Sequence, residues 1–289
     1  MSFYVGFDPG TVTTAVAVVD EVCRLTHYLE FPSSKLVKES PEIIRFVKSL
    51  RPKAVALPSG FGLPFKSGKE LTEHDIFLMA LDSPKGEGPL RTFLRTAWLL
   101  ENSFTVPGVI ELDSVPEYRK FNLIDMGTAD KVAASVFYMT LYDSFILVEM
   151  GSAFNAVVIV KDRKVVDGFG GTVLPGPNSL GAIDGEVVQL FGSILTKKMI
   201  YTPHVRKRYI EILRMVAEWY SKEIGAPIVV SGKRKDEFPT GIKHSFPFKE
   251  AAVGSAYIAN AYGGGRCSYL LDSLKAKGTP LDYVVVSKL

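Results

Sequence analysis

The sequence predicts an α/β protein of two domains that share one topology and face each other across a cleft. Three observations favour this fold class. The chain has 289 residues, and at roughly 150 residues per domain this length suggests two domains. Short β-prone runs alternate with helical patterns along the chain. A strand, turn and strand with an acidic residue before the turn also occurs twice, about 140 residues apart.

The composition is that of a folded globular protein. Hydrophobic residues make up 47% and charged residues 22%, which excludes wholesale disorder, collagen-like repeats and coiled coils. The 34 basic and 31 acidic residues leave a net charge of +3, without the basic stripe typical of nucleic-acid binders. No secretion signal and no long apolar run is evident. We therefore expect a cytoplasmic protein with neither a membrane nor a nucleic acid as partner.

A zinc site and a Ser-His-Asp triad have little support in the sequence. Cys23 and Cys267 are too far apart to form a metal knuckle, and their spacing leaves one disulfide open. The four histidines are scattered without a partner spacing, which disfavours both a zinc site and a Ser-His-Asp triad.

The first half of the chain, residues 1–142, is expected to form the N-terminal domain. It opens with a predicted hairpin, because two apolar runs flank the turn sequence DPGTVT. Thr128 is a plausible N-cap for the last helix of this half. In order, the pattern predicts strands at 3–7 and 15–19, a helix at 40–50, a strand at 53–57, a loop at 58–68, a helix at 89–103, a strand at 108–112 and a helix at 128–142.

The second half, residues 143–289, is expected to form a C-terminal domain of similar topology. A buried strand ends in an acid, a GSAFN turn follows, and a second apolar run completes another hairpin. The later elements also follow the order of the first half, with strands before helices. In order, the pattern predicts strands at 144–150 and 156–160, a strand in 164–171, a basic amphipathic helix at 205–224, a strand in 226–234 and a small-residue helix at 248–262.

The turn of the first hairpin is a candidate phosphate-binding site. Successive backbone N–H groups in such a turn form a nest for phosphate oxygens, and the small residues Gly10, Thr11 and Thr13 allow close approach. Asp8, at the end of the preceding strand, would hold Mg²⁺, which takes one or two carboxylates together with water and phosphate oxygens. Seen alone, D-P-G-T is an ordinary turn capped by aspartate.

The second hairpin turn favours a phosphate-binding role for the first turn over that of an ordinary capped turn. Glu149, Gly151 and Ser152 offer a second acid and a second nest, as expected if two domains clamp one polyphosphate. Chance similarity of the two patterns is the alternative explanation. The duplication therefore favours a function for both turns.

Two further segments supply candidate cofactor-binding residues. The strand in APIVVSGKR would deliver Ser231 and Gly232 to the cleft, where glycine lets a base or ribose lie against the backbone, and Lys233 could meet phosphate. The alternative is a simple connection with a basic surface turn. Gly170 and Gly171, in the Gly-rich turn after the third strand of this half, complete the set. We expect Lys235 to lie outside this clamp.

These segments together carry a family resemblance. Their order resembles the actin, Hsp70 and sugar-kinase (ASKHA) superfamily, in which two RNase H-like (actin-like ATPase) domains enclose a nucleotide cleft. More closely, VPEYRKFNLIDMGTADK, FILVEMGSAFNAVVIV, KVVDGFGGT and IVVSGKR resemble an archaeal family labelled predicted butyrate kinase. The resemblance implies ATP and Mg²⁺ as cofactors, with the metal at Asp8 and Glu149. The superfamily more often has Asp at the second position, so Glu149 would hold the metal directly or through water.

Catalytic candidates cluster in and just before IDMGTADK. This segment resembles the Gly-x-Asp-Arg segment of type III pantothenate kinases, which implies Asp130 as a base for a hydroxyl acceptor, with Asp125 as the alternative. Lys131 would neutralise the transferring phosphate. If the acceptor is a carboxylate no base is needed, and Arg119 could grip it with two hydrogen bonds. The alternative roles are helix-terminus charge for Asp130 and a turn role for Asp125.

Three functions follow from these observations. The first is an ATP- and Mg²⁺-dependent kinase of a small-molecule acceptor, in particular a short-chain carboxylate, with a homodimer left open. The second is a non-metabolic ATPase or nucleotide-sensing switch of the same fold. The third is a RuvC-like nuclease, because GFDPG resembles the opening of such resolvases, although a nuclease would carry a more basic surface.

Overall fold

The protein contains two mixed β-sheets of five strands each. The computed structural model describes residues 2–57, 59–81, 89–97, 100–201 and 209–285. Pro58 of the predicted loop, residues 98–99 of the helix predicted at 89–103 and residues 205–208 of the predicted basic helix lie outside these ranges.

The first sheet is built from the N-terminal half. Its strand order is β3-β2-β1-β4-β5, with β2 antiparallel to both neighbours and β1, β4 and β5 parallel. The predicted opening hairpin is thus confirmed. The strands are β1 (Tyr4–Pro9), β2 (Thr13–Val19), β3 (Leu25–Pro32), β4 (Ala54–Ala56) and β5 (Ser103–Phe104).

The second sheet repeats this arrangement strand for strand. Its order is β8-β7-β6-β9-β10, again with the second strand antiparallel and the last two parallel to the first. Both hairpins also share one register, since Asp8 faces Ala15 and Glu149 faces Ala156. The strands are β6 (Phe145–Met150), β7 (Asn155–Lys161), β8 (Lys164–Phe169), β9 (Ile228–Ser231) and β10 (Ile242–Lys243).

Helices form three layers that alternate with the two sheets. One face of the first sheet packs on α1 and α3, one face of the second packs on α8, and a shared core around α5 and α9 fills the space between the sheets. Alternate strand residues supply the two faces, as the period of a strand requires. The helices are α1 (Leu36–Ser49), α2 (Glu73–Ala80), α3 (Pro89–Ala97), α4 (Glu117–Lys120), α5 (Ala129–Tyr138), α6 (Gly185–Phe191), α7 (Lys197–Ile200), α8 (Tyr209–Ile224) and α9 (Glu250–Tyr262).

The central helices cross between the halves and approach their neighbours very closely. α9 follows the second sheet in the chain but lies against β1 and β2 of the first. A Cβ on Gly6 of β1 would stand 2.1 Å from Ala256 N on α9, and one on Gly254 would stand 1.8 Å from Ala133 O on α5. Only glycine permits such backbone contact. The two crossings therefore fix how the halves sit on each other.

Several predicted elements differ from the structure. The strand predicted at 108–112 is wrong, because Val109–Glu111 forms a 3₁₀ helix, and the fifth strand is β5, at the end of the predicted helix 89–103. The pattern missed β3, which is mostly exposed and therefore lacks a clear apolar face. α1 starts at Leu36 rather than at residue 40 and runs through Pro41.

Two further features concern the chain as a whole. A disulfide joins Cys23, in the turn after β2, to Cys267 in a C-terminal 3₁₀ helix. Within the described ranges, the helices are too short or too polar to cross a lipid bilayer.

Candidate functional site

A cavity of about 600 Å³ opens where the parallel strands of both sheets end. Ligands of α/β proteins bind at the carboxyl ends of strands, and β1, β6 and β9 all point their ends into this space. Most of the residues that the sequence predicts for the site line the cavity. They are Asp8, Gly10, Thr11, Thr13, Asp125, Asp130, Lys131, Glu149, Gly151, Ser152, Gly171, Ser231, Gly232 and Lys233.

The two hairpin turns have the same close-packed geometry. A Cβ on Gly10 would lie 2.7 Å from Thr13 O, and a Cβ on Gly151 would lie 2.5 Å from Phe154 O. Each glycine stands two residues after the strand-end carboxylate, Asp8 or Glu149. The tight turns need glycine because any larger residue would collide with the backbone, and the two acids that precede them both line the cavity.

Lys131 connects the first helix turn of α5 to the second hairpin. Its Nζ lies 2.5 Å from Asp130 Oδ2 and 2.8 Å from Glu149 Oε1. The other oxygen of Asp130 accepts a hydrogen bond from Thr128 Oγ1, so Thr128 uses its hydroxyl for Asp130 rather than for capping the helix. One ammonium thus holds two carboxylates from different halves of the chain.

Burial and charge shift the titration of this trio in different directions. Burial alone would raise the pKa of Asp130, but Lys131 and the hydrogen bond from Thr128 outweigh it and hold the pKa below its usual value. Burial raises the pKa of Glu149 to about 6, against the pull of Lys131. Burial would lower the pKa of Lys131, yet its two acidic neighbours raise it. Lys131 and Asp130 therefore form a persistent ion pair at neutral pH.

Lys249 reaches the first hairpin in a similar way, and the sequence analysis missed it. Its Nζ lies 3.1 Å from Asp8 Oδ2 and donates to Thr13 O at 2.5 Å. Its backbone N donates to Tyr28 Oη at 3.1 Å. Asp8 is 5% exposed, and burial raises its pKa although Lys249 acts in the opposite direction. No local sequence pattern pointed to Lys249, because Thr13, which accepts its hydrogen bond, lies 236 residues earlier in the chain.

The acids of the two turns suit a hard cation that is shared with phosphate. Within the described part of the chain, no three His, Cys, Asp or Glu side chains are grouped to hold a metal ion by themselves. Mg²⁺ does not need such a group, since it retains waters and binds substrate phosphates. Among the described residues Glu149 Oε2 is buried without a hydrogen-bond partner. That oxygen and the carboxylate of Asp8 therefore fit Mg²⁺ chemistry.

Asp125 lies deeper in the wall of the cavity. Its Oδ2 accepts hydrogen bonds from Thr172 N at 2.9 Å and Thr172 Oγ1 at 2.8 Å. Its Oδ1 is packed against Gly170, where a Cβ would stand 1.7 Å from that oxygen. Burial raises the pKa of the Asp125 carboxyl. The arrangement anchors the Gly-rich turn after β8.

The end of β9 is shaped by one left-handed glycine. Gly232 has φ +89°, and a Cβ there would lie 2.6 Å from Met150 O. Arg234 N donates to the same carbonyl oxygen at 2.9 Å, and its guanidinium pairs with Glu237. The turn is therefore tied to the second hairpin, with Ser231 and Lys233 facing the cavity.

Three predicted positions differ from expectation in their placement. Arg119 is not among the lining residues, because its guanidinium binds both oxygens of Asp167 at 2.8 and 3.2 Å. Gly170 stands behind the wall, where its N donates to Asp125 O at 3.0 Å. Lys235, expected outside the clamp, lines the cavity and donates to His244 O.

Comparison with known proteins identifies the fold. Acetate kinase from Entamoeba histolytica superposes with a TM-score of 0.54 at 10% identity, over 81% of this chain and 82% of that one. A glucokinase of the ROK family from Streptomyces griseus, in complex with glucose and AMPPNP, gives 0.43 at 13% identity over 89% and 99%. Component A of (R)-2-hydroxyglutaryl-CoA dehydratase from Acidaminococcus fermentans gives 0.47 at 8% identity over 91% and 100%. No curated protein sequence matches the chain.

The topology of the two sheets and the likeness to acetate kinase confirm the predicted fold class. The protein has two domains of the actin-like ATPase and sugar-kinase fold, with the cleft between them. A family model described as protein of unknown function (DUF1464) matches residues 6–286. The chain therefore belongs to the DUF1464 family and has the fold of the ASKHA superfamily.

Proposed function

We propose that the protein is an ATP- and Mg²⁺-dependent kinase of a small-molecule acceptor. One observation carries this proposal: two hairpin turns of like geometry, one from each half of the chain, form walls of one cavity, each with a strand-end carboxylate that an ammonium group contacts. The backbone N–H groups of such turns bind phosphate oxygens. A ligand with several phosphates and a divalent cation satisfies both walls at once.

The nucleotide would lie along the duplicated turns. Gly10 and Thr11 would bind phosphate oxygens from one side, and Gly151 and Ser152 from the other. The open backbone at Gly232 would accommodate the ribose or base. Asp8 and Glu149 would hold Mg²⁺, whose role when bound is to neutralise charge on the phosphate oxygens.

Phosphoryl transfer needs positioning and charge neutralisation more than covalent catalysis. An oxygen of the acceptor attacks the γ-phosphorus, the bond from phosphorus to the β–γ bridging oxygen breaks, and ADP leaves with that electron pair. Lys131 would stabilise the charge on the transferring group. Asp130 positions Lys131, because one of its oxygens binds this ammonium while the other binds Thr128.

The surroundings of Asp130 favour a carboxylate acceptor. A hydroxyl acceptor needs a base, and both Asp130 oxygens are already engaged, whereas an ionised carboxylate has no proton to lose. The cavity wall beside α5 is also apolar, with Phe61 and Val106 among its lining residues. Ala129 N donates to Gly60 O at 2.8 Å, which holds this wall against the start of α5. A short acyl chain fits such a surface.

The first prediction concerns Asp8. Replacing it with asparagine, Asp8→Asn, removes one anionic ligand and should abolish the strengthening of ATP binding by Mg²⁺, a loss of about tenfold or more in affinity. Calorimetric titration of ATP with and without Mg²⁺ measures this directly. Asp143→Asn is the matched control, because Asp143 is an exposed partner of Arg163 and should bind as the unchanged protein does.

Acceptor specificity is measured on the unchanged protein. ADP release is followed with a panel of short-chain acids and alcohols, and we expect it to depend on an added acid. ATP hydrolysis that no added metabolite stimulates would instead support an ATPase or nucleotide switch. Absence of ATP binding with millimolar nucleotide and Mg²⁺ would contradict the proposed function as a whole.

A further inference from the structure

Two of the lysines that line the cavity each contact the strand-end carboxylate of the opposite half of the chain. Lys131 belongs to α5 in the first half and reaches Glu149 at the end of β6, with 2.8 Å between Nζ and Oε1. Lys249 immediately precedes α9 in the second half and reaches Asp8 at the end of β1, with 3.1 Å between Nζ and Oδ2. Each central helix thus brings an ammonium to the strand-end carboxylate of the opposite sheet.

The two ammonium groups differ in what else they contact. Lys131 is held by a second carboxylate, Asp130, at 2.5 Å. Lys249 has Asp8 as its carboxylate partner, and its second contact is the neutral carbonyl of Thr13 within the hairpin turn. The Lys249 side chain is also more exposed, at 26% compared with 12% for Lys131. Lys249 is therefore the less firmly held of the pair.

The Lys249 ammonium lies between the carboxylate of Asp8 and the first hairpin turn, and it contacts both. A Cβ on Gly10 would lie only 2.8 Å from Nζ, so the ammonium stands directly against the turn. Phosphate oxygens bound to the turn would come into its reach. At the same time, a divalent cation on Asp8 and the ammonium would repel each other at this short range.

We propose that Lys249 is a tethered internal cation that exchanges between Asp8 and the phosphate chain of a bound nucleotide. Without a divalent cation it neutralises the buried carboxylate of Asp8, which would otherwise be a costly unpaired charge. With Mg²⁺ and nucleotide bound, Asp8 would hold the metal and the Lys249 ammonium would move to a phosphate oxygen. This inference rests on the proposed nucleotide site and assigns Lys249 a role in it.

The exchange predicts opposite effects of one substitution on two ligands. In Lys249→Met the competing ammonium is gone, so Mn²⁺ alone, used as a probe for Mg²⁺, should bind more tightly by about tenfold. ADP in excess EDTA should bind more weakly by about tenfold, because its phosphates then face the carboxylate of Asp8 with no ammonium to neutralise that charge. A residue with a merely structural role would not shift the two affinities in opposite directions.

Electron paramagnetic resonance of free Mn²⁺ measures the first affinity, and calorimetry measures the second. Lys275→Met is the matched control, since it removes one positive charge from an exposed pair with Asp272 and should change neither affinity. Lys249→Gln is a second variant that keeps a hydrogen-bond donor, and its expected shifts have the same signs as those of Lys249→Met. Melting temperatures without ligand verify that each variant folds.

The possible outcomes separate the inference from the proposed function. Equal Mn²⁺ affinity in the unchanged protein and both Lys249 variants, including no binding by any of them, would overturn the exchange. Weaker Mn²⁺ binding in the variants would also overturn it. If the unchanged protein binds no nucleotide with or without metal, the proposed kinase function fails, and the ion exchange proposed for Lys249 fails with it.

Discussion

Glu111 is a carboxyl group buried outside the proposed machinery, and it should make stability depend on pH. Its side chain has no exposed surface. Oε2 accepts a hydrogen bond from Gly108 N at 2.8 Å, and Oε1 has no partner among the described residues. Burial raises the pKa of this carboxyl well above its usual 4.5. The folded protein therefore keeps a proton that the unfolded chain releases.

The sign of the effect follows from proton binding. Below about pH 4.5 Glu111 is protonated in both states. Above that pH it ionises in the unfolded chain, which lowers the free energy of the unfolded state, so the free energy of unfolding falls as pH rises. Glu111→Gln removes that dependence and keeps an acceptor for Gly108. Between pH 5 and pH 8, we expect the urea concentration at the unfolding midpoint of the variant to rise relative to that of the unchanged protein. Glu42→Gln, at an exposed position, is the control, and a difference independent of pH would contradict the prediction.

Sequence reasoning found the acids and glycines of the site more readily than its cations. Asp8 and Glu149 stand next to turns, so their local pattern reveals them and the duplication confirms that the two turns correspond. Lys249 and Arg119 act through long side chains toward residues far away in the chain, and no local pattern encodes such partners. The sequence therefore offered Arg119 as a ligand for a carboxylate acceptor, whereas in the structure its guanidinium pairs with Asp167.

At the scale of elements, the glycine contacts between central helices give a sharp prediction. Gly254→Ala would place a methyl group 1.8 Å from Ala133 O, which is backbone and cannot rotate away. α5 and α9 must separate, and overpacking of this kind costs about 1–3 kcal/mol of unfolding free energy. Urea unfolding measures this loss.

The control for this change lies on another helix. A Cβ on Gly185, at the start of α6, meets nothing within 4 Å, so Gly185→Ala should leave stability unchanged or raise it slightly. If Gly254→Ala proved as stable as Gly185→Ala, the close helix crossing would be refuted.

Elements with one buried face were predictable, and those without one were not. The β1–β2 and β6–β7 hairpins, α5, β9 and α9 follow from apolar runs bounded by turn or capping residues. The short apolar run at 108–112 fits a strand or a helical turn equally well, and burial of Val109 and Ile110 within the shared core decides for a 3₁₀ helix. Periodicity alone does not separate these cases.

At the scale of the whole molecule, the shared core makes the two halves depend on each other. α9 covers the face of the first sheet that carries Tyr4 and Ala17. A fragment of residues 1–142 would lack this helix and expose that face to water. We expect the fragment to remain unfolded, and the whole chain to unfold in one calorimetric transition with equal calorimetric and van 't Hoff enthalpies.

Circular dichroism of the fragment and scanning calorimetry of the whole chain test this interdependence. Cooperative unfolding of the fragment, or two separate transitions in the whole chain, would show that the halves are autonomous. The duplicated pattern predicts two similar units but contains no information on which unit each helix covers. That property became visible only with the packing of α5 and α9.

The crossing of the central helices also bears on the origin of the molecule. A single copy of the repeat would have one sheet face without cover and one helix without a surface to bury. Two such chains could satisfy both needs by lending each other the last helix, as in a domain-swapped dimer with twofold symmetry. Fusion of two genes would then preserve the exchange within one polypeptide and would leave each half free to change its own turn.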